Sequence, residues 1–279
     1  MLRLAAFADE ISPDIDVQIE HCRSNGVTHV ELRGVAGKNV LDFDPSLRAE
    51  IKRKLADNNL AVAAIGSPIG KVKLSDPFEA HFDRFKIAVE TAEYFDAPLV
   101  RIFSYYPAEG GTHEQLVTKG RDEVVRRMQR KVDYLKGRRP VLVHENEAGI
   151  FGEKARQCLD LHRSVPSPQL RAAFDFANFV QAKENPLDAW ALLKPYTVHF
   201  HIKDALRATG KVVPAGQGDG DLAEILKDAV AGGYNGFLSL EPHLAAQGQF
   251  SGFSGPDLFK TAVDALRRLA RENALPLAS

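Results

Sequence analysis

Three features of this sequence predict an α/β chain closed into a (β/α)8 TIM barrel. Eight short apolar runs alternate with longer amphipathic stretches. The length, 279 residues, suits one such barrel of roughly 250 residues better than two smaller domains. Ligand-type side chains end four late, consecutive runs. A doubly wound open sheet would also alternate strand and helix, but a barrel brings the C-terminal ends of all its strands to one mouth, so the third feature favours closure. Residues 1–279 are therefore read as a single barrel domain, without a low-complexity linker.

In chain order, the predicted strands are LRLAAFA (2–8), THVELR (28–33), LAVAAIG (60–66), PLVRIFS (98–104), RPVLVHE (139–145), LRAAFDF (170–176), YTVHFHI (196–202) and GFLSLE (236–241). Continuous aliphatic and β-branched runs of this length suit strands buried on both faces. Between the first two, Ser12-Pro13 supplies an N-cap and first-turn pair for a helix carrying Ile15, Ile19 and Cys22, which Gly26 stops. Asp44-Pro45 repeats the device. Thr112 caps a helix of roughly 24 residues ending near Gly137, and Gly232-Gly233 closes a helix beginning near Asp221.

Composition narrows the function. The 36 Lys and Arg nearly cancel 37 Asp and Glu, so no global field favours nucleic acid or an anionic membrane. A small-molecule substrate fits better, and self-association is compatible with such a chain. Cys22 and Cys158 fall on predicted helices with no CxxC spacing, which argues against structural zinc or a redox pair and suits a reduced cytoplasm. The start, MLRLAAFADEIS, has too short an apolar run for a signal peptide, and no segment approaches membrane-span length.

Glu145, Asp175, His201 and Glu241 each end an apolar run. A single strand-terminal carboxylate is usually solvated or salt-bridged. Barrel closure, however, would crowd three of them together, at a repulsion that a cation or protonation relieves. One imidazole and three carboxylates form a mostly hard ligand set for one divalent ion, Mn²⁺ or Mg²⁺, while tolerating Co²⁺ or Zn²⁺.

Other polar residues carry two readings each. His199 shares a face with His201 but lies deeper, as a core or supporting residue, whereas His144 faces the helices. Lys203 and Asp204 follow His201; Lys203 could hold an oxyanion and Asp204 could orient His201 or a water, or both are solvated loop residues. Arg101 sits inside an apolar run and needs the central carboxylates or a substrate anion. Glu31 and Arg33 read as a structural pair. Lys71, in GSPIGK, is an oxyanion contact or part of a surface loop without P-loop spacing. His243 contacts substrate or caps a turn, and Phe7 and Phe103 could wall a pocket.

The chain resembles the sugar phosphate isomerase/epimerase group of xylose isomerase-like barrels, which includes ketose 3-epimerases and, more distantly, endonuclease IV. The resemblance covers nearly the whole chain and is carried by HEN (144–146), DFANF (175–179), HIKDA (201–205) and GYNGFLSLEPHL (233–244). It implies that Glu145, Asp175, His201 and Glu241 bind one metal, and that Glu145 and Glu241 also exchange protons with substrate. It further implies that Arg207, six residues after the metal histidine, contacts substrate. One position departs: where ketose epimerases carry a substrate-touching histidine three residues after the metal aspartate, this chain has Asn178. The additional histidines of endonuclease IV are missing from AAIGSP and RIFSYY, so an abasic-site nuclease is disfavoured.

The expectation is a metal-dependent isomerase or epimerase of a sugar, keto-sugar or polyol derivative. It would work through an enediolate, with Glu145 and Glu241 as proton-transfer groups. Arg207, Arg101, Lys71, Asn178, Lys203 and His243 are the substrate contacts. A dehydratase or lyase using the same enolate is the alternative, and a noncatalytic sugar-binding barrel is a third reading in which the ligand pattern is accidental.

Overall fold

The computed structural model describes residues 1–245 and 254–278. All eight apolar runs form strands: β1 (Arg3–Ala6), β2 (His29–Leu32), β3 (Ala61–Ile65), β4 (Leu99–Ile102), β5 (Val141–Glu145), β6 (Leu170–Asp175), β7 (Thr197–Ile202) and β8 (Phe237–Leu240). They make a closed barrel in sequential order. Every neighbouring pair is parallel, and β1 closes onto β8 from Arg3 opposite Phe237 to Ala6 opposite Leu240. The eight principal helices are α1 (Ile15–Ser24), α2 (Pro45–Asp57), α3 (Phe78–Tyr94), α4 (Arg121–Tyr134), α5 (Ala155–Ser164), α6 (Pro186–Leu193), α7 (Leu222–Ala231) and α8 (Gly255–Glu272).

Strand alternation divides the buried residues into two populations. Outward side chains such as Val30, Leu142, Phe174, Phe200 and Leu238 join helix residues such as Ile19, Phe85, Met128, Leu226 and Leu266 in one continuous core. Each fully buried side chain of this kind contributes roughly 1.5–3 kcal/mol. The inward set is sparser. Leu99, Val143, Ala64 and Ala173 form one small cluster and Ala5, Ala63 and Phe237 another, with polar side chains taking over toward the C-terminal mouth.

Two helix expectations need correction. Ser12-Pro13 does not cap α1: Asp14 does, accepting the Asp16 N–H at 2.8 Å, while Ser12 Oγ accepts the Asp14 N–H. The carboxylate two residues along reaches the first-turn donors, and Pro13 becomes part of the approach. The long helix from Thr112 is two helices, His113–Lys119 and α4, broken at Gly120. Thr112 and Gln115 form the capping box as expected of that start. Gly26 (φ +62°) and Gly233 (φ +92°) end their helices, and the Asp44-Pro45 start caps α2 through the Leu47 N–H. Among the described residues no helix is long and apolar enough to cross a membrane.

Candidate metal centre

Glu145 and Asp175 are the last residues of β5 and β6, His201 lies one before the end of β7, and Glu241 follows β8. Register aligns them: Asp175 pairs with His201, and His201 with Ser239. One ligand-type atom from each of the four lies within 4.8 Å of the others, and all four residues are buried. Asn146 ties the two carboxylate-bearing ends together, its side chain exchanging hydrogen bonds with the Asp175 backbone at 3.0 Å. Asp175 Oδ1 accepts the Asn178 N–H at 2.8 Å and caps the short helix Phe176–Gln181, which leaves Oδ2 for the cluster.

Cations answer the carboxylates. Lys203 Nζ lies 2.9 Å from Asp175 Oδ2 and 3.2 Å from Glu241 Oε2. Arg101 reaches Glu145 Oε2 at 3.2 Å while its guanidinium sits between the Phe7 and Phe103 rings. Burial opposes ionisation of Glu145, but His201 and Arg101 outweigh it and hold the carboxyl down to about 2. Burial also opposes ionisation of Glu241, which Lys203 and His243 hold well below the usual carboxylate range. Asp175 goes the other way: burial lifts it to about 7 against Lys203, with Glu241 and Glu145 adding to the rise. Like charges at one point cannot all ionise without a cation among them.

The donor set suits a hard divalent ion. His201 Nδ1 is a buried side-chain atom in the cluster with no well-aligned hydrogen-bond partner, and Asp175 Oδ2 has only the Lys203 ammonium. Nδ1 is 3.1 Å from Glu145 Oε1 and 3.7 Å from Glu241 Oε2. An ion coordinated there would satisfy His201 Nδ1 and share Asp175 Oδ2 with Lys203, so the residues present fit the group.

Glu241 also faces a cavity of about 1220 Å³, lined among the other sequence-derived candidates by Lys71, Arg101, Asn178, Lys203 and His243. Lys71 pairs with Glu147 at 2.6 Å and lies 4.4 Å over the Phe103 ring. Asn178 Nδ2 donates to the Asn146 carbonyl at 2.8 Å and lies 3.4 Å from Glu145 Oε1. His243 Nε2 is 3.1 Å from Glu10 Oε1 and 3.5 Å from Glu241 Oε1. Arg207 is not brought to this cavity. It is exposed and its guanidinium donates to the Glu184 carbonyl at 2.9 Å.

Two expectations change. Glu31 and Arg33 do not form the anticipated pair: Glu31 takes His199 Nε2 at 2.7 Å and His201 Nε2 at 3.2 Å. Arg33 instead joins Asp9 at 2.7 Å and Glu241 at 3.3 Å and lines the cavity. Asp204 does not orient His201. Its carboxylate accepts backbone N–H groups from Ala205, Gly216, Gly218 and Gly220, fastening the following loop. His144 faces away from the cluster as expected, with Nε2 2.9 Å from Ser104 Oγ, and burial lowers it to about 3. Sequence reasoning missed Arg33, Asp9 and Glu10 as members of the mouth. The only local signal was the unbroken Asp9-Glu10 pair directly after β1.

Comparison with known proteins adds three observations. The family described as xylose isomerase-like TIM barrel matches residues 19–273. A 3-dehydroshikimate dehydratase of Bacillus anthracis is 20% identical over 186 residues, 67% of this chain but 65% of the relative's own length. Among solved structures, the probable 3-dehydroshikimate dehydratase AsbF from Bacillus anthracis superposes with a TM-score of 0.72 at 20% identity, covering 96% of this chain and 99% of that one. A D-tagatose 3-epimerase-like protein does so with a TM-score of 0.75 at 15% identity, covering 98% of each chain. A barrel from Mycobacterium smegmatis in complex with magnesium gives 0.70 at 17% identity, covering 98% of this chain and 97% of that one. At these identities the superpositions show the fold.

Proposed function

Because the chain belongs to the xylose isomerase-like TIM barrel family, we propose that it is a divalent-metal-dependent isomerase or epimerase of a sugar, keto-sugar or polyol derivative. Mn²⁺ or Mg²⁺ would be held by Glu145, Asp175, His201 and Glu241. One observation carries the reading: these four buried side chains converge within 4.8 Å, and one of them, Glu241, lines the cavity. When bound, the ion would supply Lewis-acid polarisation of a carbonyl and acidify the neighbouring C–H.

The chain's own residues do the rest. Glu145, kept ionised by His201 and Arg101, is ready to accept a proton at physiological pH. Glu241 belongs to a different strand and is flanked by Lys203, Arg33 and His243; starting ionised as well, it can return to another face of the same carbon a proton first taken from a substrate hydroxyl. Lys71, Arg101, Arg33, Asn178 and His243 hold substrate oxygens, and the Phe7 and Phe103 rings keep water from the Arg101 side of the cluster. Arg207 stays outside this set on its position.

A dehydratase or lyase is the second reading, favoured by Asn178 and Lys203. Asn178 gives the cavity no titratable group where ketose epimerases have histidine. Lys203 places an ammonium against Glu241, where it can protonate a departing β-hydroxyl. The B. anthracis relative, named as a 3-dehydroshikimate dehydratase, supports keeping this reaction in view. The metal-loaded protein is incubated in D₂O with D-tagatose, L-ribulose, a 3-keto-glucoside and 3-dehydroshikimate, followed by NMR. Deuterium incorporation with isomer formation supports the first reading, and exchange with water loss supports the second. No exchange on any substrate, with metal bound, leaves the noncatalytic barrel.

A further inference from the structure

Glu31 lies on β2, far along the barrel from β7, yet its carboxylate touches both β7 histidines. His199 Nε2 is 2.7 Å from Oε2, and His201 Nε2 is 3.2 Å from the same oxygen and 3.3 Å from Oε1. All three side chains are completely buried. His199 and His201 are two apart on one strand and stack edge to face at 5.2 Å, so both point into the barrel and one carboxylate can bridge them. A buried carboxylate accepts hydrogen bonds and donates none. Each imidazole must therefore turn an N–H toward it.

For His201 the consequence is directional. With Nε2–H committed to Glu31, Nδ1 is the nitrogen left facing Glu145 and Glu241, and it has no hydrogen-bond partner of its own. Phe7 packs edge-on at 5.1 Å and blocks rotation of the ring from another side. The small residues Ser239, opposite His201, and Ala5, opposite Ser239, lie beside His201 in the barrel register.

We propose that Glu31 is a positioning residue for the metal centre: it fixes the tautomer and ring orientation of His201 so that Nδ1 is offered to the ion, with His199 as the second donor that anchors the carboxylate. The inference rests on the metal assignment above and adds to it a residue that touches neither ion nor substrate. Outer partners of ligating histidines hold the ring and raise its basicity, and their loss costs roughly 10- to 100-fold in metal affinity.

The full chain, as parent, Glu31→Ala, Glu31→Gln and His201→Ala, is titrated with Co²⁺ against a chelator, recording the visible cobalt band and the far-ultraviolet circular dichroism. Glu31→Ala should bind about 10- to 100-fold more weakly with a shifted band. Glu31→Gln, with one acceptor oxygen for two imidazoles, should fall between Ala and the parent. A Glu31 that only supports the core would lower thermal stability and leave affinity and band unchanged, and that result overturns the proposal. The parent loaded with Mg²⁺ gives a reading that needs no variant: histidine-ring nitrogen NMR should show a proton on Nε2 of both His199 and His201 and none on Nδ1 of His201. A His201 lacking the Nε2 proton overturns the proposal even if the variants fail to fold. A parent that binds no ion removes the metal assignment itself. A parent and His201→Ala that differ as expected, beside Glu31 variants that match the parent, remove only the role of Glu31.

Discussion

Glu145 and Glu241 have different nearest neighbours, Arg101, His201 and Asn178 for the first and Lys203, Arg33 and His243 for the second, with His201 and Arg101 also within ion-pair reach of Glu241. Glu145→Gln and Glu241→Gln keep the shape and one oxygen but cannot take a proton, so turnover should fall about 10²- to 10⁴-fold in each. If both variants turn over like the parent, the two glutamates only position the ion. His201→Ala should strip the metal while the far-ultraviolet spectrum persists, checked by elemental analysis; unchanged metal content refutes the ligand set. Arg207→Ala should leave kcat/KM near the parent and Lys71→Ala should raise KM, because only Lys71 lines the cavity. The reverse order would restore Arg207 as a substrate contact. The four clustered residues were legible in the sequence because each closes its own apolar run, a local signal. Glu31, Arg33 and Glu10 were not, since their partners belong to other strands. Alternation says that a side chain points inward but not which inward side chains meet.

Elements were legible where one residue decides them. Asp44, Gly26 and Gly233 did so, and the capping box at Thr112 marked its helix start. The break at Gly120 was not, because a glycine inside an amphipathic pattern is compatible with a continuous helix. There an added Cβ would come within 2.8 Å of the Leu116 carbonyl and of Leu74 Cδ2, so the break leaves no room for a side chain. The loop after β3 is more tightly constrained. Phe103, Tyr105 and Tyr106 donate their N–H groups to Ile69, Gly70 and Val72, clamping the Lys71 loop against the chain after β4. Gly70 has φ +100°, and a Cβ there would lie 2.0 Å from the Phe103 carbonyl oxygen. Gly70→Ala should therefore cost more than the ~1 kcal/mol of an ordinary substitution and raise KM through displacement of Lys71. Thermal unfolding and steady-state kinetics measure the two effects, and a variant equal to the parent in both shows that the clamp is dispensable.

At the scale of the molecule, one buried cation should be visible in the stability curve. Lys131 is fully buried, donates to Tyr105 Oη at 2.7 Å, and is lowered to about 7 by burial and then by Arg127. An unfolded lysine titrates near ~10.4, so between about pH 7 and ~10.4 the unfolded chain carries a proton that the folded one lacks. Stability should rise with pH across that window, with the penalty fully present below it. Lys131→Met should be more stable than the parent at pH 7, the lost hydrogen bond being worth only ~1 kcal/mol, and the difference should shrink toward pH 10. Parallel melting curves for the two proteins would sink this account. Barrel closure itself has a temporal consequence. Arg3 must find Phe237, more than two hundred positions away, before β1 has both neighbours, and Glu241 follows that last strand at once. Contacts so remote in sequence form late. During synthesis on the ribosome, a nascent chain that has exposed only its first seven strands has an open seam and three of the four clustered side chains. If the ion is held as proposed, a product stalled there lacks Glu241 and with it the complete ligand set.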